Sequence, residues 1–313
     1  MQNPFDIGLR VQETMTKLGR QQAGFALLWA ISLIVWWKPL VDTFALSLRE
    51  GEYTHVLLIL PISAALIFME RRLLRTLSTM NVRMGVALFA IAVLIVCPSL
   101  FWPASLSPDV QLSIRMFALV LSWIGAFVLC FGSRASRLVA FPLCFLLGLV
   151  PLPQAVVSMI VALLQQGSAW TAHGLFAAFG VPVAQDGVLL TIPGLTLEVA
   201  QECSSIRSSL MLLVTTIVLA QILLRSPWRK ALLIGLAVPL SVAKNGLRIF
   251  TIAMLGTRVD PGYLTGRLHR QGGIVFFVIA LLAVLALLWI FGRQEELSLK
   301  SGLNPERTKG TGD

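Results

Sequence analysis

Apolar runs long enough to cross a bilayer follow one another along almost the whole chain, and this decides the solvent in which it folds. A membrane-spanning helix needs about 20 apolar residues. Such runs centre on 23–41, 53–69, 84–102, 112–132, 138–153, 203–224, 231–256 and 272–292. With 57% hydrophobic and only 13% charged residues, the chain has too little polar surface to wrap a water-soluble globule. Backbone groups in lipid must be satisfied within their own segment, so the runs are read as helices. The expected class is an all-α polytopic membrane protein with about eight transmembrane helices.

The basic residues give the orientation. Alternate links carry Arg10, Lys17 and Arg20, then Arg71, Arg72, Arg75 and Arg83, then Arg134 and Arg137, then Arg225, Arg229 and Lys230, and finally Arg293, Lys300, Arg307 and Lys309. That places 16 of 25 basic residues on one side, which the positive-inside rule assigns to the cytoplasm. Between Arg137 and Arg207 there is no Lys or Arg, while Asp186, Glu198 and Glu202 fall there, so residues 154–202 are expected outside. The net charge of +10 is spread over short links and tails rather than gathered on one face. It points to anionic lipid headgroups and away from nucleic acid.

Three regions follow: a cytoplasmic N-terminal tail at 1–22, a single transmembrane domain at 23–292, and a disordered cytoplasmic tail at 293–313. The first apolar run ends in Trp36, Trp37 and Lys38, an interfacial belt, and no small-residue cleavage site follows, so the run is expected to be retained as a span. In the outer region, Asp186-Gly187 and Pro193-Gly194 sit between β-branched or leucine-rich runs. They signal a small periplasmic β-hairpin or meander before Cys203, an extended loop being the alternative. A hairpin's free edge would suit an extended peptide. Residues 155–180, apolar but punctuated by Gln165, Gln166, Gly167, Ser168 and Gly174, are compatible with two interfacial or re-entrant helices.

Chemistry-bearing residues gather at one boundary. Cys203 opens the sixth run in Glu202-Cys203-Ser204-Ser205-Ile206-Arg207-Ser208, at a first helical turn whose N–H groups and dipole favour the thiolate. Arg248 follows Asn245 by three positions and Lys244 by four, so the three share a helix face. It stands roughly 26 Å above Ala231 at about 1.5 Å per residue, near the outer boundary, where it must face a protein cavity or snorkel. His269, in Leu268-His269-Arg270-Gln271-Gly272-Gly273, precedes the last run. Threading the runs alternately brings Cys203, Arg248 and His269 to the same outer face. A thiol, a guanidinium and an imidazole are the parts of a covalent acyl-transfer site, as nucleophile, oxyanion donor and general acid/base. His55 is the rival base, and His173 reads as structural. Cys97, Cys130 and Cys144 lie in apolar runs without metal-ligand spacing and read as small core residues. Arg258, Arg267 and Arg270 occupy an outer link where few basic residues are expected. They suit headgroup anchoring or a substrate carboxylate. No HExxH or Cys/His cluster occurs, so no metal or other cofactor is expected.

These stretches resemble the exosortase/archaeosortase family of integral-membrane cysteine transpeptidases. The matching positions are Glu202, Cys203, Ser204, Ile206, Arg207, Ser208, Asn245, Arg248, Ile249 and His269, with Ser205 where the family often has glycine. Tyr53-Thr54-His55, Pro151-Leu152-Pro153, and the approach Ile192-Pro193-Gly194 to Leu197-Glu198-Val199 agree as well, so the likeness covers roughly 50–290. It implies Cys203, Arg248 and His269 as catalytic residues, supported by Glu202, Arg207 and Asn245. It also implies substrates that are exported proteins ending in a Pro-Glu-Pro (PEP-CTERM-type) motif, one helix and a basic cluster. The setting implied is an inner membrane with the site facing the periplasm, linked to exopolysaccharide production. The rival readings are a polytopic transporter, in which Lys244, Asn245 and Arg248 would line a solute path, and a structural subunit of a polysaccharide export system.

Overall fold

The computed structural model describes residues 4–77, 79–199, 206–265 and 273–302. Among them the protein is helical throughout except for one small sheet. Seven helices are long and apolar enough to cross a membrane, or eight if one bent pair counts as a single span. The all-α polytopic class therefore holds. The chain divides into two compact units, residues 1–157 and 158–313.

In the first unit, α1 (Pro4–Val35) and α2 (Trp37–Arg49) replace the single span expected at 23–41, bending by 73°. The cause is Pro39: it has no N–H to bond the carbonyl of Val35, four residues back, and its ring crowds that carbonyl. A 3-10 turn at Gly51–Tyr53 leads into α3 (Val56–Met69), followed by the short α4 (Arg71–Leu77), α5 (Val82–Phe101) and α6 (Pro108–Leu138). The α5–α6 pair packs through small residues. A Cβ on Gly85 would lie 2.5 Å from Leu129 Cβ, and one on Gly125 would lie 3.2 Å from Leu88 Cβ. Close backbone approach of this kind associates helices where no hydrophobic effect separates helix from lipid. At Gly132 (φ 83°) α6 kinks, and the freed carbonyl of Phe131 accepts from Thr79 N–H at 3.0 Å.

The expected fifth helix, 138–153, is a broken passage. It consists of α7 (Ala140–Phe145), a 3-10 turn at Leu146–Leu149, and an extended Pro151-Leu152-Pro153 stretch. Pro151 holds Val150 extended, so the helical stretch ends at Leu149 and the passage leaves as an extended segment. It still returns the chain to the start of α6. Ser113 Oγ donates to Pro151 O at 2.7 Å, Tyr53 OH donates to Leu152 O at 2.9 Å, and Asp109 Oδ2 accepts from Gln154 N–H at 2.8 Å. The carbonyls of a proline-rich stretch need partners from elsewhere, and these side chains supply them.

From Gln154 a single helix, α8 (Gln154–Ala178), runs through the stretch that was also compatible with two interfacial or re-entrant helices. Gly167 does not break it, because that glycine is the point where α8 meets Val242: an added Cβ would lie 3.0 Å from Val242 Cγ1. In the second unit follow β1 (Ala184–Asp186), β2 (Leu189–Ile192) and β3 (Leu195–Glu198), an antiparallel meander in the order β1-β2-β3. Two-residue links at Gly187-Val188 and Pro193-Gly194 join the strands, with Gly187 at φ 59° and Gly194 at φ 83°, values that favour glycine. Leu190 and Ile192 point inward opposite Leu197 and Leu195, and this face packs with Val199 onto Ala169, Ala172 and Phe176 of α8 and Phe250 of α10.

The unit continues with α9 (Ile206–Leu223), α10 (Pro227–Arg258), α11 (Gly262–Thr265) and α12 (Gly273–Gly302). Helix α12 runs through 293–302, part of the tail expected to be disordered. Glu295 explains the order of its first turns: its carboxylate accepts from the backbone N–H groups of Arg225 and Ser226, both at 2.9 Å, at the N-terminus of α10. A carboxylate at a helix N-terminus meets unpaired donors and the positive end of the dipole.

Candidate active site

Helix α10 buries a polar stripe along one face, made of Ser241, Lys244, Asn245 and Arg248. Their spacing of three and four residues is that of a single helix face. Arg248 is only 8% exposed. Polar and charged residues in membrane helices face the protein interior rather than lipid, and this stripe obeys the rule.

Two of the four are set by neighbouring helices of the same unit. Lys244 donates to Ser208 Oγ on α9. Asn245, 1% exposed, donates through Nδ2 to Ser168 Oγ on α8 at 2.9 Å, and Ser168 in turn donates to Leu164 O at 2.6 Å. Between these polar contacts α8 and α10 come into backbone proximity: a Cβ on Gly246 would fall 2.5 Å from Thr171 Cβ. Asn245 Oδ1 is buried without a hydrogen-bond partner among the described residues, an acceptor still to be used.

Arg248 lies in the wall of a cavity of about 130 Å³, otherwise formed by Leu195, Leu197, Glu198 and Val199 of the sheet edge, Ile249, Ile252 and Ala253 of α10, and Leu264 of α11. The lining is almost wholly apolar, so the guanidinium works in a low-dielectric setting, where hydrogen bonds to charge are strengthened. The sheet edge is anchored from α8. Gln165 Nε2 donates to Val199 O at 2.9 Å, and Val199 N–H donates to Val188 O at 3.0 Å. Helix α11 is seated by Leu264 against Gly256, where any Cβ would lie 2.5 Å from Leu264 Cγ.

Of the residues singled out in the sequence, Arg248 and Asn245 are thus brought to one buried face. Arg207 is exposed in the first turn of α9, and Arg258 is exposed at the end of α10. His55 belongs to the first unit, where its Nδ1 lies 3.1 Å from Glu52 O. Glu202, Cys203, Arg267, His269 and Arg270 lie outside the described residues. In the sequence, Gln165 and Ser168 stand only as polar interruptions of an apolar segment. Their three-residue spacing is the sign that they share one helix face, from which each meets a different neighbour.

The fold and this buried stripe define a polytopic helical membrane protein with a charged group held in a small cavity. The model of the transmembrane exosortase family matches residues 36–286, and the chain belongs to that family. No curated protein and no solved structure matches it.

Proposed function

We propose that this exosortase is a cysteine transpeptidase in which Cys203 is the nucleophile, Arg248 the oxyanion donor and His269 the general acid/base. The observation that carries the reading is the burial of Arg248 in the cavity bounded by Val199 and Leu264. Val199 is four residues before Cys203, and Leu264 is five before His269. A chain extends at most about 3.6 Å per residue. Covalent reach alone therefore keeps Cys203 within about 14 Å of Val199 and about 11 Å of Ile206.

The thiolate of Cys203 adds to the scissile carbonyl, and the oxygen gains negative charge as the tetrahedral intermediate forms. Arg248, fixed by burial, donates to that oxygen, an interaction strongest in the transition state. Collapse of the intermediate breaks the C–N bond, and His269 gives its proton to the departing amine, leaving a thioester on Cys203. An acceptor nucleophile on the envelope, or water, gives its proton to His269 as it attacks the thioester, and the thiolate is released. Glu202, Arg207 and Asn245 support the site.

The substrates on this reading are exported proteins with a C-terminal Pro-Glu-Pro-type sorting signal, and Arg258, Arg267 and Arg270 are the groups suited to the motif's carboxylate. The protein sits in the inner membrane with this site facing the periplasm, in a system tied to exopolysaccharide. Co-expression with a reporter carrying such a tail tests the reading. Size reduction that depends on Cys203 supports it, whereas full activity in Cys203→Ala returns the chain to the transporter or structural alternatives.

A further inference from the structure

The first unit carries a recess that the proposed chemistry does not use. Among α1, α3, α4, α6 and α7 lies a cavity of about 590 Å³, within the range of about 300–1,000 Å³ usual for small-ligand sites. Its walls are largely apolar and include the rings of Phe25 and Trp29 from α1 and of Trp123, Phe127 and Phe131 from α6. The rings brace one another. Phe25 stands edge-on to Phe127 at 5.8 Å and to Phe131 at 5.5 Å, and Trp123 donates its indole N–H to Ser32 Oγ at 2.7 Å. Walls locked in this way hold a recess open for a flexible apolar occupant. Ser63 also lies in the wall, its buried hydroxyl without a partner among the described residues.

Charge is confined to the rim. Arg71, the first residue of α4, lines the recess with its guanidinium 3.8 Å from the centroid of the Phe68 ring. Arg72 adjoins it, Arg20 precedes the lining residue Gln22 by two positions, and Arg134 follows Phe131 by three. All four arginines are exposed. None is in an ion pair among the described residues, where the recorded pairs are Lys38–Asp42 and Arg229–Glu295. One carboxylate, Glu70, adjoins Arg71 in sequence, so the rim stays net positive.

We propose that this recess is a binding site for an anionic phospholipid of the surrounding membrane, with one acyl chain among the rings and the headgroup phosphate on Arg71. An alkyl chain asks nothing of the walls but apolar contact, and a guanidinium pairs with phosphate through two parallel donors. Basic pockets between transmembrane helices select anionic over neutral headgroups by the same charge complementarity.

The test uses the full chain in mild detergent, exchanged with phosphatidylglycerol or phosphatidylcholine of identical acyl chains and weighed intact by native mass spectrometry. One phosphatidylglycerol per chain is expected to survive conditions that strip phosphatidylcholine. Loss of one rim charge in Arg71→Ala is expected to weaken retention roughly fivefold to tenfold. Arg71→Lys keeps most of the binding, and Ala64→Phe, which fills the recess from its own wall, abolishes it. Should Arg71→Ala fail to accumulate, the other two variants decide the matter. Equal retention of the two lipids, undiminished binding by Ala64→Phe, or a lipid-free dimer overturns the proposal.

Discussion

Gly246→Ala is expected to damage activity more than stability, and the geometry of α8 and α10 gives the size of both effects. The added Cβ would stand 2.5 Å from Thr171 Cβ and 2.6 Å from Thr171 Cγ2, against an ordinary contact of 3.4–4 Å. The two helices must therefore part locally by roughly 1 Å, and overpacking of this kind costs about 1–3 kcal/mol. Alanine returns about 1 kcal/mol through its higher helix propensity, so the net loss is about 0–2 kcal/mol. Arg248 lies two residues further along α10, and Asn245 is adjacent. A misplacement of about 1 Å at a reacting centre costs on the order of a hundredfold in rate, equivalent to about 2.7 kcal/mol. Reporter processing in membranes and thermal unfolding in detergent measure the two quantities separately. Thr171→Gly removes both colliding carbons, so the double variant should recover most of the lost rate. A wild-type rate in Gly246→Ala, or a double variant no better than the single one, would refute the argument.

Arg248→Lys keeps the charge but loses the planar fork. It should accumulate normally and process substrate at least tenfold more slowly, while near-normal turnover would reduce Arg248 to a diffuse cation. Ser168→Ala leaves the buried Asn245 amide without its acceptor and should cost about 1–3 kcal/mol in thermal unfolding, with a parallel fall in rate. Labelling of cysteines introduced at 186, an exposed position of the sheet, and at 300 should show opposite sides of the membrane. Labels on one side would mean that the sheet and the chain's C-terminal region share a compartment, and the common site would dissolve.

The apolar runs made the helices legible because lipid imposes a single rule on them, and the turn at Pro193-Gly194 was legible because its backbone conformation requires glycine. What escaped the sequence depends on partners. Pro39 barely alters the hydropathy of its run, yet it bends the first span by 73°. Residues 138–153 read as one apolar run because hydropathy does not register how Pro151 ends the helical stretch. The polar character of 155–180 was also compatible with interrupted helices, whereas Gln165 and Ser168 spend their polarity on Val199 and Asn245, contacts between segments far apart in the chain. At the site, the common face of Lys244, Asn245 and Arg248 followed from helical spacing alone. Which neighbours hold them did not, since α8 and α9 choose those partners through tertiary packing.

The central claim is a thioester on Cys203, and trapping it is the most direct measurement. The protein is mixed with a reporter substrate, quenched in acid, digested and sequenced by mass spectrometry, with a parallel sample treated with hydroxylamine. The expected product is the substrate's new C-terminal residue joined to the peptide containing Cys203, released by hydroxylamine and absent from Cys203→Ser, because a neutral hydroxyl is a far weaker nucleophile than a thiolate. An adduct on another residue, or full processing by Cys203→Ser, would contradict it.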